Sequence, residues 1–375
     1  MEFEVIIIGG GLAGLCSALH LSLKGTKVLV IEKQGYPQHK VCGEYISNEV
    51  LPYLQSLGFN PFDFGAKAIN KLTLSTEGNQ SISVKLPLGG FGISRYCIDE
   101  ELSKCAKKAG ATFLHARVMD IHFSEEQFEV STNLQEVFRA PLVIGAYGKR
   151  SNLDTKMKRP FMQNKSPYLG VKAHFSGDFP ADQVGLHNFP GGYCGISKVE
   201  NDKINICYLV DFKTFKKYNS LDEFQEKVLC QNKFLEEALV KYPMVFEKPI
   251  TISQISFSDK APIENHILMC GDSAGMIHPL AGNGMGMAIR SAQILSQALL
   301  QFKSGAISSR QALEENYEKQ WKKEFASRLK YGHLISRTFR MGLLSEILML
   351  LLKLMPGLLP LIVRKTHGKV MQAIQ

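Results

Sequence analysis

The sequence has no cysteine pair with the Cys-x-x-Cys spacing. Its eight cysteines are scattered, at positions 16, 42, 97, 105, 194, 207, 230 and 270. Histidines do not cluster near them, so the pattern argues against a zinc or iron–sulfur site. Free thiols fit a reducing compartment, and most of these cysteines are expected to be small core hydrophobes.

The sequence also lacks the patterns that are typical of a signal peptide and of a nucleic-acid-binding segment. Glu2 and Glu4 stand where a signal peptide would carry positive charge, which predicts a cytoplasmic protein. The net charge is +9, yet no basic run is interleaved with aromatic residues, so nucleic acid is not an expected partner. Contact with a membrane surface stays open. With 375 residues, 45% apolar and 21% charged, the chain is expected to form two closely connected globular domains.

Residues 1–32 have the pattern of a strand, a glycine-rich turn, a helix and a second strand. The predicted bounds are 3–8, 9–14, 15–24 and 27–31, with Glu32 at the end. Gly9 allows a tight turn, Gly11 lets the backbone approach a pyrophosphate, and Gly14 lets the helix pack closely on the strand. Glu32 is placed to bind an adenosine ribose, and an acid there favours FAD or NAD over NADP. The alternative is a glycine-rich turn in an ordinary strand–helix–strand unit.

A second loop carries the sequence Lys40-Val41-Cys42-Gly43-Glu44. Together with the glycine-rich turn, it resembles the geranylgeranyl reductase family, within the flavoprotein class that includes para-hydroxybenzoate hydroxylase. The resemblance implies that the loop lies along FAD, with Cys42 an active-site residue near the isoalloxazine ring. It also implies that Gly43 lies close to the ring and that Lys40 contacts a phosphate or the ribityl chain. The alternative is a packed Cys42 and a solvated Lys40.

The other end of an FAD site can be recognised at residues 267–287. A predicted strand ends at Gly271-Asp272, and ligands of parallel sheets bind at this carboxyl edge. The resemblance makes Asp272 the acceptor for the ribityl hydroxyls and places Pro279 beside the flavin. The loop 282–286 precedes a predicted helix, whose first N–H groups can stabilise negative charge on reduced flavin. His278 is either an acid or base near the ring or a structural residue of the turn.

Two positions between these anchors are further candidates. Arg95 stands just before a helix predicted over 98–108, and the resemblance implies that it contacts the cofactor, since the flavoprotein class has an arginine there; the alternative is a solvent-exposed Arg95. Gly148 follows a buried strand and is a further candidate contact. Tyr147 replaces an aspartate that the class links to FAD and NAD(P)H binding, which counts against direct use of NADPH. No second strand–Gly-x-Gly-x-x-Gly–helix unit is present. Hydride is therefore expected from NAD(P)H that docks transiently or from another electron donor.

The pattern changes to alternating strands within residues 166–257. The fold class predicted for the whole chain is α/β, a Rossmann-like FAD-binding domain with an inserted antiparallel-sheet substrate domain and a helical C-terminal tail. The predicted domains are FAD binding over 1–70, 92–165 and 260–300, substrate over 71–91 and 166–259, and a helical region over 301–375. Tyr193 matches the tyrosine of the reductases' Tyr-x-Trp-x-Phe-Pro pattern. Gly195 replaces its tryptophan, so the substrate is expected to be held differently.

The tail is predicted to be helical and partly very apolar. Residues 342–363 are interrupted by Glu346, Lys353, Pro356 and Pro360, so no uncharged stretch reaches the ~18 residues of a spanning helix. A basic segment, 364–369, follows. This pattern fits an interfacial helix pair or a lid over an apolar cavity, and equally a helical cap on the core or a dimer contact.

Several functions fit these motifs. The favoured one is an FAD-dependent reductase of carbon–carbon double bonds in an isoprenoid or other lipid; the second is an FAD-dependent monooxygenase acting on a lipophilic aromatic. A halogenase is less favoured because the single tryptophan, Trp321, lies in the tail, and a non-enzymatic flavin-binding protein comes last. The predicted catalytic residues are Cys42, Tyr193 and His278. The predicted FAD contacts are Gly9, Gly11, Leu12, Ala13, Gly14, Glu32, Lys33, Lys40, Gly43, Arg95, Gly148, Gly271, Asp272, Pro279, Gly282, Gly284 and Met285.

Overall fold

The structure is a computed structural model that describes residues 2–163, 167–339 and 342–374. The strands in chain order are β1 (Val5–Ile8), β2 (Val28–Glu32), β3 (Tyr45–Ser47), β4 (Lys67–Ser75), β5 (Ser81–Gly92), β6 (Thr112–His115), β7 (Val118–Ser124), β8 (Gln127–Thr132), β9 (Val137–Ala140), β10 (Leu142–Gly145), β11 (Tyr168–Ser176), β12 (Gln183–Phe189), β13 (Gly192–Lys198), β14 (Lys203–Asp211), β15 (Ile250–Ser253), β16 (Ile263–Glu264) and β17 (Ile267–Met269). The α-helices are α1 (Leu12–Leu23), α2 (Leu51–Ser56), α3 (Arg95–Lys108), α4 (Asn152–Lys156), α5 (Phe212–Phe215), α6 (Leu221–Lys227), α7 (Lys233–Lys241), α8 (Gly284–Lys303), α9 (Arg310–Phe339), α10 (Gly342–Leu354) and α11 (Leu358–Thr366).

The first sheet is the nucleotide-binding type that the N-terminal pattern predicts. Its strand order is β16-β17-β10-β1-β2-β6, and all pairs except β16 with β17 are parallel. Strands covered on both faces must be apolar throughout, and all four residues of β1 are buried. Helix α1 packs against α3 and α8, which completes one layer over this sheet. The Rossmann-like part of the predicted fold is confirmed.

The second sheet has eight strands in the order β15-β11-β14-β13-β12-β4-β5-β3. Its pairs are antiparallel except for β12 with β4, and β4 and β5 form a hairpin. Apolar side chains of α6 and α7, such as Phe224 and Leu235, form one buried cluster with this sheet. A separate three-stranded sheet, β7-β8-β9, packs beside the first. The separate, largely antiparallel sheet is thus confirmed, while the domain boundaries given above stay a prediction.

The C-terminal helices pack on both sheets. Helix α9 lies against α8, and the Tyr317 hydroxyl donates a hydrogen bond of 2.6 Å to the Met269 carbonyl at the end of β17. Helices α10 and α11 contact β5, where Leu352 and Leu359 join Leu72 and Leu86 in a buried cluster. The tail therefore closes over the second sheet.

The bend between α10 and α11 is sharp. Among the described residues, no single helix is both long and apolar enough to cross a bilayer. The segments Leu344–Leu354 and Leu358–Thr366 meet those criteria as a pair, but the chain turns by 117° between them.

His20 on α1 makes the fold sensitive to acid. Its ring is buried, Nδ1 lies 3.0 Å from the Tyr53 hydroxyl, and burial lowers the pKa of His20 to about 4. The unfolded chain therefore binds more protons between pH 6.5 and 4, so the free energy of unfolding falls as pH falls through that window. We expect this residue to account for roughly 3 kcal/mol of the loss, measured by urea unfolding at pH 7 and pH 4. His20→Gln should flatten the dependence of the unfolding free energy on pH, whereas His122→Gln, at an exposed position, should not. The same pH dependence in wild type and both variants would contradict the assignment to His20.

Candidate functional site

One large cavity, of about 290 Å³, lies where the two sheets and the tail meet. It is bounded by the start of α1, the loop before β3, the segment after β17, the start of α8, and side chains of the second sheet and of α11. The predicted site residues that line it are Gly11, Leu12, Ala13, Cys42, Gly43, Arg95, Gly148, Tyr193, Gly271, Asp272, Pro279, Gly282, Gly284 and Met285. Residues that are far apart in the sequence thus line one cavity.

Two of the predicted glycines shape the backbone behind this wall. Gly9 has a φ of +104°, and a Cβ there would lie 2.4 Å from the carbonyl oxygen of Ala146. A Cβ on Gly14 would lie 2.0 Å from the Gly9 carbonyl oxygen. Gly9 therefore lets the turn approach the segment after β10, and Gly14 lets α1 approach the turn.

Glu32 is fixed against the glycine-rich turn. Its Oε2 accepts a hydrogen bond of 2.6 Å from the Gly10 N–H, while the Tyr36 hydroxyl donates to the Gly10 carbonyl at 2.6 Å. The carboxylate is therefore held at the carboxyl end of β2, beside the start of α1. The Lys33 side chain is exposed, and its carbonyl lies 3.1 Å from His115 Nε2. Neither residue lines the main cavity.

Arg95 and Lys40 share one buried carboxylate. Arg95 donates to both oxygens of Asp99 at 2.7 Å, and Lys40 Nζ lies 2.8 Å from Asp99 Oδ2. Burial alone would raise the pKa of Asp99, but the charges of Arg95 and Lys40 lower it. Helix α3 begins at Arg95, three residues earlier than predicted, because Ser94 caps it by accepting from the Cys97 N–H at 3.0 Å. Arg95 reaches the cavity, whereas Lys40 is directed to Asp99.

Glu44 anchors the loop that carries Cys42 to the second sheet. Its carboxylate binds Lys172 Nζ at 2.5 Å and His174 Nε2 at 2.8 Å, and all three side chains are completely buried. Glu44 Oε1 also accepts from the Arg95 N–H at 2.7 Å. Burial would raise the pKa of Glu44, but Lys172 and His174 hold it below its usual value. The anion is therefore retained at the junction of the two sheets.

The sequence interpretation missed Lys172, His174 and Asn205. Asn205 on β14 donates to the Cys42 carbonyl at 3.2 Å and to the Gly43 carbonyl at 2.9 Å. Lys172 and His174 are two residues apart on β11, so they lie on the same face of the sheet. The sequence did contain a signal: two polar residues lie at this spacing in an otherwise apolar strand. Because buried charges are nearly always paired, this spacing predicts a buried partner of opposite charge.

The three predicted catalytic residues take different places. Cys42 is half-buried and lines the cavity with Tyr193, whose pKa is raised by burial, so its hydroxyl stays protonated. His278 is buried beside a smaller adjoining cleft, and its Nδ1 accepts from the Leu280 N–H at 3.4 Å. Its ring packs on Phe257 with centroids 4.6 Å apart. The contacts of His278 suit the structural alternative, in which it fixes the turn before Pro279.

One side of the cavity is aliphatic. Val184 and Leu186 come from β12, and other members come from β4, β5, α10 and α11. These additional lining residues are Leu72, Leu74, Leu86, Leu352, Leu359, Ile362 and Val363. A ligand on this side must be largely apolar, because few polar partners are available for it.

Two helix N-termini border the other side. Helices α1 and α8 have Gly11 and Asn283 at their N-caps. Gly11 has no side chain to cap α1, and the Asn283 side chain makes no capping hydrogen bond to α8. A Cβ on Gly43 or Gly148 would meet no atom within 4 Å, so a ligand can lie against the backbone there.

Residues 2–325 match a family model described as FAD binding domain. The chain belongs to the FAD binding domain family.

Individual relatives of this FAD binding domain protein are distant. It is 24% identical to conditioned medium factor receptor 1 of Dictyostelium discoideum, with 91% of this chain and 70% of the relative covered. It is also 24% identical to digeranylgeranylglycerophospholipid reductase of Methanosarcina acetivorans, with 90% and 84% covered. The solved structure of flavin-dependent brominase Bmp2 superposes with a TM-score of 0.81 at 16% identity, covering 98% of this chain and 93% of that one.

These findings make the protein an FAD-dependent oxidoreductase and confirm the predicted resemblance to the geranylgeranyl reductase family. The residues present fit FAD. The free N–H groups at the start of α1 suit a pyrophosphate, and those at the start of α8 suit a negatively charged ring. The contacts of individual residues with the cofactor stay predictions.

Proposed function

We propose that this flavoprotein reduces carbon–carbon double bonds of an isoprenoid or similar lipid. The observation that carries the proposal is the composition of the cavity, in which a glycine-lined backbone cradle faces a wall of aliphatic side chains. A lipid chain could lie along that wall while a double bond reaches the flavin. The similarity to a digeranylgeranylglycerophospholipid reductase supports the same substrate class.

The chain's own residues have distinct tasks in this proposal. The starts of α1 and α8 bind the diphosphate and the ring, Asp272 binds the ribityl chain, and Arg95 adds positive charge. When bound and reduced, FAD supplies the hydride. Tyr193 retains its phenolic proton at neutral pH, so it can hydrogen-bond the substrate, and Cys42 lies on the same cavity wall. A side-chain acid then supplies the proton that completes saturation of the double bond.

The electron donor is external in this proposal. Tyr147 replaces the aspartate of related hydroxylases. Its hydroxyl donates a hydrogen bond of 3.4 Å to Met269 Sδ, so it contacts a residue of the core. To identify the donor, the rates at which NADH, NADPH and a reduced electron-transfer protein reduce the bound flavin are compared. Anaerobic bleaching of the flavin absorbance by each one identifies the donor.

The decisive experiment is a single turnover without oxygen. Holoprotein is reduced with dithionite and mixed with geranylgeranyl glycerophospholipid, and flavin reoxidation and product mass are followed. Reoxidation with a product heavier by two hydrogen atoms supports the proposal. If the flavin stays reduced until oxygen is admitted and the product then gains one oxygen atom, the monooxygenase alternative replaces the proposal.

Replacing Cys42 tests the cavity wall nearest the predicted ring position. We expect Cys42→Ala to keep full FAD content, because a smaller side chain fits the half-buried site, but to lower turnover roughly 100-fold if the thiol acts in proton transfer. Flavin absorbance and anaerobic reoxidation rates measure the two effects. Half-buried Cys105 on α3 lies outside the cavity, so Cys105→Ala is the matched control. Full turnover by Cys42→Ala would end its catalytic assignment.

The outer face of α10 and α11 suits an anionic phospholipid bilayer. Leu350, Leu354 and Met355 are more than half exposed, while Leu352 and Leu359 on the opposite face line the cavity. The remaining exposed residues on this face include the apolar Leu344, Ile347, Leu351 and Leu361 and the basic Lys353, Arg364 and Lys365. The apolar side chains would enter the interface while the basic ones contact lipid phosphates. A lipid substrate could then pass from the bilayer to the cavity beneath the same helices.

Vesicle flotation tests this membrane contact. Wild type should float with phosphatidylglycerol-containing vesicles, and Leu350→Ser with Leu354→Ser should lower the partition coefficient at least roughly tenfold, because two leucines no longer enter lipid. Val240, exposed on α7, provides the control Val240→Ser. Unchanged flotation of the double variant would remove the proposed contact.

A further inference from the structure

Gly195 on β13 leaves a gap in the sheet face that lines the cavity. Its neighbours along the strand, Cys194 and Ile196, belong to the buried cluster on the opposite face of the sheet. Because side chains alternate along a strand, a side chain at position 195 would lie on the cavity face, as Tyr193 does. Glycine supplies no side chain, so the backbone itself forms this part of the cavity wall.

The space above Gly195 is open. Apart from the adjacent residues, the nearest atoms to a Cβ built there would be the Cys207 carbonyl oxygen and Leu186 Cδ2, both at 3.7 Å, which is an ordinary contact distance. By contrast, a Cβ on Gly185 or Gly192 would lie 2.3 or 2.2 Å from another atom. The φ angle of Gly195 is not positive either. Neither crowding nor a left-handed backbone therefore requires glycine at position 195, and the effect of this glycine is to leave room in the cavity.

The gap lies between two chemically different parts of the cavity. In the second sheet, Gly195 pairs with Cys207 of β14 on one side and with Leu186 of β12 on the other. The β14 side carries the active-site loop, because Asn205, two residues before Cys207, donates to the Cys42 carbonyl at 3.2 Å. The β12 side is the aliphatic wall, which continues into β4 and β5. A ligand that contacts both parts along the sheet has to cross β13.

We propose that the gap at Gly195 is the passage through which the hydrocarbon chain of the lipid runs from the Cys42 side to the aliphatic wall. Tyr193 and Ser197, the flanking residues on the same face of β13, carry side chains, so the crossing over Gly195 is the least obstructed. This inference rests on the proposed function for the lipid class and adds a limit on shape, because the ligand has to be narrow where it crosses β13. Gly195 is a specificity-determining position and takes no part in hydride transfer.

Prenyl alcohols of increasing length test the passage on wild type. Geraniol, farnesol and geranylgeraniol share one end group and differ in the number of isoprene units. Each is titrated into oxidised holoprotein, and the change in flavin absorbance reports binding without turnover. A chain that crosses the gap gains contacts with the aliphatic wall, so affinity should rise at least roughly tenfold from geraniol to geranylgeraniol. Equal affinity for the three alcohols would overturn the passage, because the added carbons would then not reach that wall.

Filling the gap should remove the gain in affinity with length. Gly195→Leu places a branched side chain in the passage, so the ratio of the geranylgeraniol affinity to the geraniol affinity should fall to roughly one. Gly195→Ala adds one carbon at an ordinary contact distance, so it should fold like wild type and lower the ratio about threefold. Gly35→Leu is the matched control, because a Cβ on Gly35 meets no atom within 4 Å and Gly35 lies outside the cavity. It should keep the wild-type ratio.

The outcomes separate this inference from the proposed function. A wild-type ratio in Gly195→Leu with full FAD content overturns the passage and leaves the lipid class intact. If Gly195→Leu fails to fold or to hold FAD, Gly195→Ala decides, and a ratio equal to that of wild type overturns the inference. Failure of all three alcohols to bind wild type overturns the lipid class and the inference together.

Discussion

Gly14→Ala is expected to yield a protein that binds FAD at least roughly tenfold more weakly than wild type. The added Cβ would lie 2.0 Å from the Gly9 carbonyl oxygen and 3.3 Å from the Ala146 Cβ. Neither neighbour is the flexible end of a side chain, so α1 must move away from the turn after β1. That movement displaces the helix N-terminus that is predicted to face the pyrophosphate.

Flavin content after purification and titration of the apoprotein with FAD measure this effect. Gly35 is the matched control, because a Cβ there meets no atom within 4 Å and Gly35→Ala should bind FAD normally. Thermal unfolding should also show a loss of about 1–3 kcal/mol for Gly14→Ala, the usual cost of overpacking. Normal FAD affinity in Gly14→Ala would show that the close approach of α1 is not needed for the cofactor site.

The nucleotide-binding half could be predicted because its signals are local. An apolar run, the spacing of Gly9, Gly11 and Gly14, and an acid at the end of β2 lie within one strand–helix–strand unit. The same holds for Asp272, which lies three residues after the short buried strand β17. The element boundaries differ from the prediction: α1 begins at Leu12 and not at residue 15, because its first turn includes Gly14.

The residues that join the two sheets could not be predicted, because their partners are remote in sequence. Glu44 and Lys172 are 128 positions apart, and Asn205 is 163 positions from Cys42. No local pattern reports that pairing, which depends on how the second sheet docks on the first. The position of the tail also could not be predicted from local sequence, because its apolar composition fits both a lid and a core cap. In the structure, the buried cluster with Leu72 and Leu86 shows that α10 and α11 cover the second sheet.

Glu44→Gln is expected to destabilise the holoprotein by about 3–5 kcal/mol, the usual cost of leaving a buried charge unpaired. The variant keeps the size of the side chain, but the Lys172 ammonium, which has no exposed surface, then lacks its anion. Because Glu44 also accepts from the Arg95 N–H, the Cys42 loop should loosen and FAD affinity should fall with stability. Chemical unfolding and FAD titration measure the two effects.

A double-mutant cycle separates the charge from the shape of this site. Lys172→Met removes the ammonium at similar length, so Glu44→Gln with Lys172→Met should lose less stability than the sum of the single changes. The exposed pair Glu223 with Lys227 gives a matched control, and Glu223→Gln should change stability by no more than about 1 kcal/mol. Strict additivity of Glu44→Gln and Lys172→Met would show that the two side chains do not stabilise one another. The anchor of the Cys42 loop would then be the amide contacts of Asn205, which neither substitution removes.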